Sequence, residues 1–218
     1  MKHLSFAVCS VLLLCSSFVH AGKYNEVLSI GDQAPPWKDL TDAVSGKKHS
    51  LADLKDAHVV VVVFTCNSCP VATDYEDRIL ALAEKYGLRA DAKDASAGNP
   101  PAGKGKVELV AINVNRVKDD LPPAMKARAV QKKYAFPYLY DETQKIARDF
   151  GANYTPQFFV LDRERRVVYM GAMDDNSDAD KVKAHYVGPA IEAALAGKTV
   201  VTAETAPVGC RIRFARQR

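Results

Sequence analysis

Five consecutive valines and a phenylalanine, Val59 to Phe64, run directly into Thr65-Cys66-Asn67-Ser68-Cys69-Pro70, and this junction constrains the chain more than any other feature. β-Branched residues that are apolar at every position leave no face for water, so residues 58–64 predict a central strand covered on both sides. Immediately afterwards Val71, Tyr75, Ile79, Leu82 and Tyr86 fall at steps of four, four, three and four, the stripe of an amphipathic helix, and Gly87 supplies its stop. Residues 108–114 repeat the strand pattern, and Pro122-Pro123 opens a second helix with proline in its first turn. Residues 138–140 read as a short strand, residues 143–150 as a helix ended by Gly151, and residues 157–161 and 166–169 as an antiparallel pair. Ser177 or Asp178 caps a closing helical region that runs to Leu195 and is broken at Gly188-Pro189. Upstream, residues 30–54 are a mixed lead-in in which Ser50 caps a short turn. Strand, helix, strand, helix, hairpin, helix predicts an α/β fold, a three-layer sandwich with a mixed β-sheet flanked by helices.

Residues 1–21 read as a signal peptide: Lys2 precedes an apolar run, and Val19-His20-Ala21 offers a small-x-small cleavage site. The run falls short of the roughly 20 apolar residues a span needs, and no later stretch is long enough. The expected product is exported, periplasmic or extracellular, with no membrane span once the leader is removed. Residues 22–198 then form the folded domain, residues 90–106 (rich in Ala, Gly, Pro, Asp and Lys) a surface insert, and residues 199–218 a C-terminal tail carrying Cys210.

Thirty Lys and Arg against 26 Asp and Glu are spread along the chain, apart from Arg211, Arg213, Arg216 and Arg218, which argues against a nucleic-acid partner. A domain of this size buries roughly 70% of its unfolded surface, so its core needs no disulfide staple. A close cysteine pair is therefore weighed as chemistry. Cys9 and Cys15 leave with the leader, and Cys66, Cys69 and Cys210 remain, an odd count for an oxidising compartment.

Cys66 and Cys69 stand at i and i+3 where a strand meets a helix, so a short disulfide between them can close and open without unfolding the domain. Free N–H groups and the positive end of the helix dipole at that mouth favour an anion, which predicts a lowered pKa for Cys66 and makes it the nucleophile. Cys69 is placed to attack the mixed disulfide that Cys66 forms with a substrate. Thr155-Pro156, just before the strand at 157–161, stands where a cis-proline would close against the cysteines, which gives both residues a substrate-positioning role.

With those residues in hand, the chain resembles the thioredoxin superfamily, and within it the redoxin branch typed by alkyl hydroperoxide reductase and thiol-specific antioxidant proteins. The resemblance rests on FTCNSCPVATDYEDR at 64–78, VAINVN at 110–115, PYLYDETQKIARDFGANYTPQFFVLD at 137–162, VVYMGAMDD at 167–175 and GCRIRF at 209–214. It implies a thioredoxin-like fold with Cys66 as attacking thiol, Cys69 as resolving thiol and Pro156 as the cis-proline. The chain departs from the usual thioredoxin pattern in having Thr65 where Trp commonly precedes the first cysteine, and Asn67-Ser68 in place of Gly-Pro.

The leading expectation is an exported thiol-disulfide oxidoreductase, monomeric or weakly associating, with no bound cofactor or metal. Its partners would be protein thiols and disulfides and a separate redox donor. A thiol peroxidase is the first alternative; peroxidase members present Pro-x-x-x-Thr-x-x-Cys, whereas here Thr65 lies four residues before Cys69 and Val61 holds the proline place. The second alternative has Cys66 and Cys69 holding Cu(I) or Zn(II), although His49, His58 and His185 all lie far from the pair in sequence and are expected to be solvated or hydrogen-bonded. Cys210 is an auxiliary thiol that could fold back as a second resolving cysteine, pair with a partner, or stay idle. Trp37 and residues 138–140 read as core or groove packing, Asp174-Asp175-Asn176 as a solvated turn, and Glu76 or Asp77 as proton acceptors only if buried.

Overall fold

The computed structural model describes residues 22–88 and 106–216; the leader and nearly all of the 90–106 insert lie outside the described residues. The valine block forms β3, Val59–Phe64, buried at all six positions. Its period of two feeds two cores: Val60, Val62 and Phe64 face one side, Val59, Val61 and Val63 the other. This is the two-sided burial that an unbroken apolar strand requires.

Seven strands run in the order β2 (Lys48–His49), β1 (Leu40–Asp42), β5 (Tyr138–Tyr140), β4 (Val107–Asn113), β3, β7 (Gln157–Leu161) and β8 (Val167–Gly171). β3 pairs parallel with β4 and antiparallel with β7, so the sheet is mixed. Helices α1 (Pro70–Lys85), α2 (Pro122–Lys132) and α4 (Val187–Leu195) contribute Tyr75, Ile79, Leu82, Met125, Ala129 and Ile191 to one core. α3 (Lys145–Asp149) and the N-terminal segment cover the other face with Ile146, Ala147, Leu28, Trp37 and Leu54. The result is a three-layer α/β sandwich. Among the described residues no helix is long and apolar enough to cross a membrane.

Two local expectations are corrected. Gly188-Pro189 does not break the closing helix but sits in the first turn of α4, where a missing N–H costs nothing, and the stretch before it holds only a 3-10 turn at Ala179–Lys181. The helix expected over 143–150 shrinks to Lys145–Asp149, because Asp141 ties the preceding residues into a turn by accepting the Thr143 and Ile146 amides. Within the described part of the tail, β9, Cys210–Arg211, pairs antiparallel with β6, Tyr154–Thr155, in a separate two-stranded sheet.

Candidate active site

The loop between β3 and α1 is held by one carboxylate. Asp120, fully buried at the end of a 3-10 turn, accepts the backbone N–H of Asn67 at 2.7 Å and of Ser68 at 2.9 Å through Oδ1, and the Ser68 hydroxyl at 2.5 Å through Oδ2. Asn67 is fixed from both ends: its Nδ2 donates to the Asp119 carbonyl at 2.9 Å, and its Oδ1 accepts the Tyr138 hydroxyl at 3.1 Å. Two backbone donors and one hydroxyl on a single anion set the loop before any substrate arrives.

Cys66 and Cys69 are both buried, with 3% and 2% of their surface exposed. The Cys66 Sγ lies 3.3 Å from the Thr155 hydroxyl and 3.9 Å from that of Ser68. The Cys69 Sγ points its thiol at the Thr155 carbonyl, 3.1 Å away, and accepts the Ala72 N–H at 3.4 Å. The Thr155–Pro156 peptide is cis. One residue, Thr155, therefore meets both sulfurs, by its hydroxyl on one side and its carbonyl on the other.

The helix begins at Pro70 with Cys69 as its N-cap, so Cys66 stands a full turn outside. The amides that were expected to favour a thiolate on Cys66 serve Cys69 instead. The Cys69 pKa is pushed down to about 5, chiefly by the hydrogen bond from the Cys66 thiol, with Cys210 and the Ala72 amide adding to it against burial. Cys66 is pushed up by the same bond and by burial, with the Asp120 charge adding, while the hydroxyls of Thr155 and Ser68 oppose. The bond between the two thiols thus lowers the Cys69 pKa and raises that of Cys66.

These sulfurs, their loop and the cis-proline lie within residues 29–186, and that segment matches the Redoxin family. The chain belongs to the Redoxin family. By that membership this redoxin is an oxidoreductase. Among solved structures it is similar to an uncharacterized conserved protein from Geobacillus kaustophilus, with 31% identity and a TM-score of 0.75 over 89% of this chain and 96% of that one. A hypothetical protein from Sinorhizobium meliloti 1021 is 30% identical with a TM-score of 0.74, over 87% of this redoxin and 97% of its own length. Peroxidoxin BcpB from Mycobacterium tuberculosis shares the fold at 19% identity and a TM-score of 0.51, over 77% of this chain and 94% of that one. No curated protein matches this redoxin.

All five residues singled out in the sequence meet in one place: Cys66 and Cys69 on the loop, Thr155 and Pro156 behind them, and Cys210 opposite Thr155 across the small sheet. Two acidic groups elsewhere are engaged structurally. Glu76 is buried, but Arg128 grips both its oxygens at 2.8 and 2.5 Å and the Tyr134 hydroxyl donates to it at 3.1 Å, so it is no free proton acceptor. Asp174, expected in a solvated turn, is buried and accepts Tyr75 Oη at 3.0 Å and Arg78 at 2.5 Å, which roots the turn in α1.

Trp37 is core, not groove, whereas Tyr138 is both core and a ligand of the active loop. His49 is neither solvated nor hydrogen-bonded among the described residues; it is buried on β2, four strands from β3, and burial lowers its pKa. Among the described residues no group of three or more His, Cys, Asp or Glu is arranged to hold a metal ion. Asp120 is the site residue that sequence reasoning missed. Its only signal is an acidic pair before Pro122-Pro123, and its contacts reach across more than fifty residues.

Proposed function

We propose that this redoxin is an exported thiol-disulfide oxidoreductase that exchanges disulfides with partner proteins through Cys66 and Cys69. The observation that carries the reading is the shared position of the two sulfurs: each lies within 3.3 Å of one atom of Thr155, at the handover from β3 to α1. Cys66 takes the attacking role in the state in which Cys69 holds the proton. In that arrangement the Thr155 carbonyl receives the Cys69 thiol and the Thr155 hydroxyl supports the Cys66 thiolate.

The Cys66 thiolate attacks one sulfur of a substrate disulfide, a mixed disulfide forms, and the other substrate sulfur leaves as a thiolate. Cys69 gives its proton to the departed substrate thiolate, attacks the Cys66 Sγ, and closes the Cys66–Cys69 disulfide as the second substrate sulfur leaves as a thiolate. Once Cys66 is in the mixed disulfide its thiol no longer donates to Cys69, and the Ala72 amide and Cys210 remain to favour the Cys69 thiolate for that second attack. Run backwards, the same steps oxidise a substrate dithiol, and the direction follows from the partner's potential.

Protein thiols and disulfides and a separate redox donor are the partners, and the protein acts as a monomer in the periplasm or outside the cell. Lys2, the apolar run after it and Val19-His20-Ala21 support export. Reduction of insulin disulfides tests the activity: the wild type accelerates it and Cys66→Ser falls to background. Equal rates for the two proteins refute the proposal.

A further inference from the structure

The chain beyond α4 is tied down along most of its length. Thr205 Oγ1 accepts the Ala172 N–H at 2.9 Å, the Ile212 N–H donates to the Asn153 carbonyl at 2.9 Å, and Gln144 clasps the tail by donating to the Arg213 carbonyl at 3.0 Å and accepting the Ala215 N–H at 2.7 Å. Between these anchors β9 lies against β6 with Cys210 directly opposite Thr155. The approach is close enough to require glycine before the cysteine, because a Cβ on Gly209 would stand 2.2 Å from the Thr155 carbonyl oxygen and 2.6 Å from its carbon.

The Cys69 thiol is 3.1 Å from that same carbonyl oxygen, so the strand pairing carries Cys210 to the side of Cys69, where it packs with Cys66, Cys69 and Ala72. At the mouth of α1 the Ala72 amide donates to Cys69 at 3.4 Å, and Val71 and Cys210 pack together against the same cluster. Cys69 is the middle thiol of three.

We infer that Cys210 is a third redox thiol of the site, which takes over the Cys66–Cys69 disulfide by attacking Cys69. The step rests on the dithiol reading above. Deprotonated Cys210 attacks the Cys69 Sγ, the Cys69–Cys210 bond forms as the Cys66–Cys69 bond breaks, and Cys66 leaves as a thiolate that can take up the proton Cys210 released. One disulfide becomes another, so no outside oxidant or reductant is consumed. Cys66 is thereby freed while the protein is still oxidised, and the tail is stapled across the edge of β6.

Purified protein is oxidised with a stoichiometric amount of a small disulfide, quenched in acid, alkylated and mapped peptide by peptide. The expected result is a Cys69–Cys210 bridge with Cys66 alkylated, present beside the Cys66–Cys69 bridge and formed also in Cys66→Ser. Gly209→Ala, with its fold checked by circular dichroism, should lower the Cys69–Cys210 yield about tenfold, the ratio that roughly 1.4 kcal/mol of misfit produces, and keep the Cys66–Cys69 bridge. A wild-type map with only Cys66–Cys69 bridged and Cys210 fully alkylated, together with an unbridged Cys66→Ser, overturns the inference and leaves the dithiol reading standing. A map with no bridge of any kind overturns both.

Discussion

Asp120 holds Ser68 twice, accepting its backbone N–H at 2.9 Å and its hydroxyl at 2.5 Å, and so fixes the two residues that separate the cysteines from a turn more than fifty residues away. The same carboxylate charge raises the Cys66 pKa. Positioning the loop and restraining the first thiol are thus two effects of one group.

Asp120→Ala should cost about 1 to 2 kcal/mol of stability, since it leaves the half-buried amides of Asn67 and Ser68 without their charged acceptor. Urea unfolding of the reduced protein measures this. Asp120→Asn removes the charge while keeping the shape, so the Cys66 pKa should fall and the rising limb of the pH-rate profile for insulin reduction should move to lower pH.

The thiolate of the reduced pair should titrate with a midpoint near pH 5, followed by ultraviolet thiolate absorbance. Cys66→Ala removes the largest cause of that depression, so the midpoint should move up towards the ordinary thiol range. The sign for stability follows from an acid whose folded pKa lies below its ordinary value of 9.0. The Cys69 contribution is present in full above the unfolded value and is lost as the pH falls through about 5. Reduced protein should therefore lose stability relative to Cys69→Ser on acidification through that window, as paired unfolding curves would register.

Glu76→Ala should destabilise the fold by about 3 kcal/mol or more, because it strands the Arg128 guanidinium against a partly buried site. The thiolate titration should stay where it is. A shift of that midpoint in the folded variant would mark Glu76 as part of the proton path rather than a strut between α1 and α2.

Phe159→Ala opens the core behind the active strand. Phe64, Phe150 and Phe159 meet edge to face with centroid separations of 5.1 to 5.8 Å, and the cavity should cost about 3 to 5 kcal/mol in denaturant unfolding.

The parts of this molecule readable from sequence are those whose pattern is local. The valines announce β3, the four-four-three-four stripe announces α1, and a proline pair at the start of α2 announces that helix, because each of these signals is complete within one segment. β1 and β2 are three and two residues long and exist through pairing with each other and with β5, nearly a hundred residues further on, so no period could reveal them. The cysteine pair was legible, but which sulfur receives the helix amides was not. That turns on whether the helix starts at Cys66 or after Cys69, a shift of one turn that Pro70 and the Asp120 anchor decide. The tail was unreadable for the same reason as β1: a two-residue strand finds its meaning only in Thr155.

Trapping tests the central claim most directly. Reduced Cys69→Ser, incubated with a disulfide-bonded protein and quenched in acid, should accumulate a mixed disulfide whose linked peptide contains Cys66, and Cys66→Ser should give none at that position. Failure of Cys69→Ser to capture the substrate, or capture through Cys210 with Cys66 recovered fully alkylated, would contradict the account.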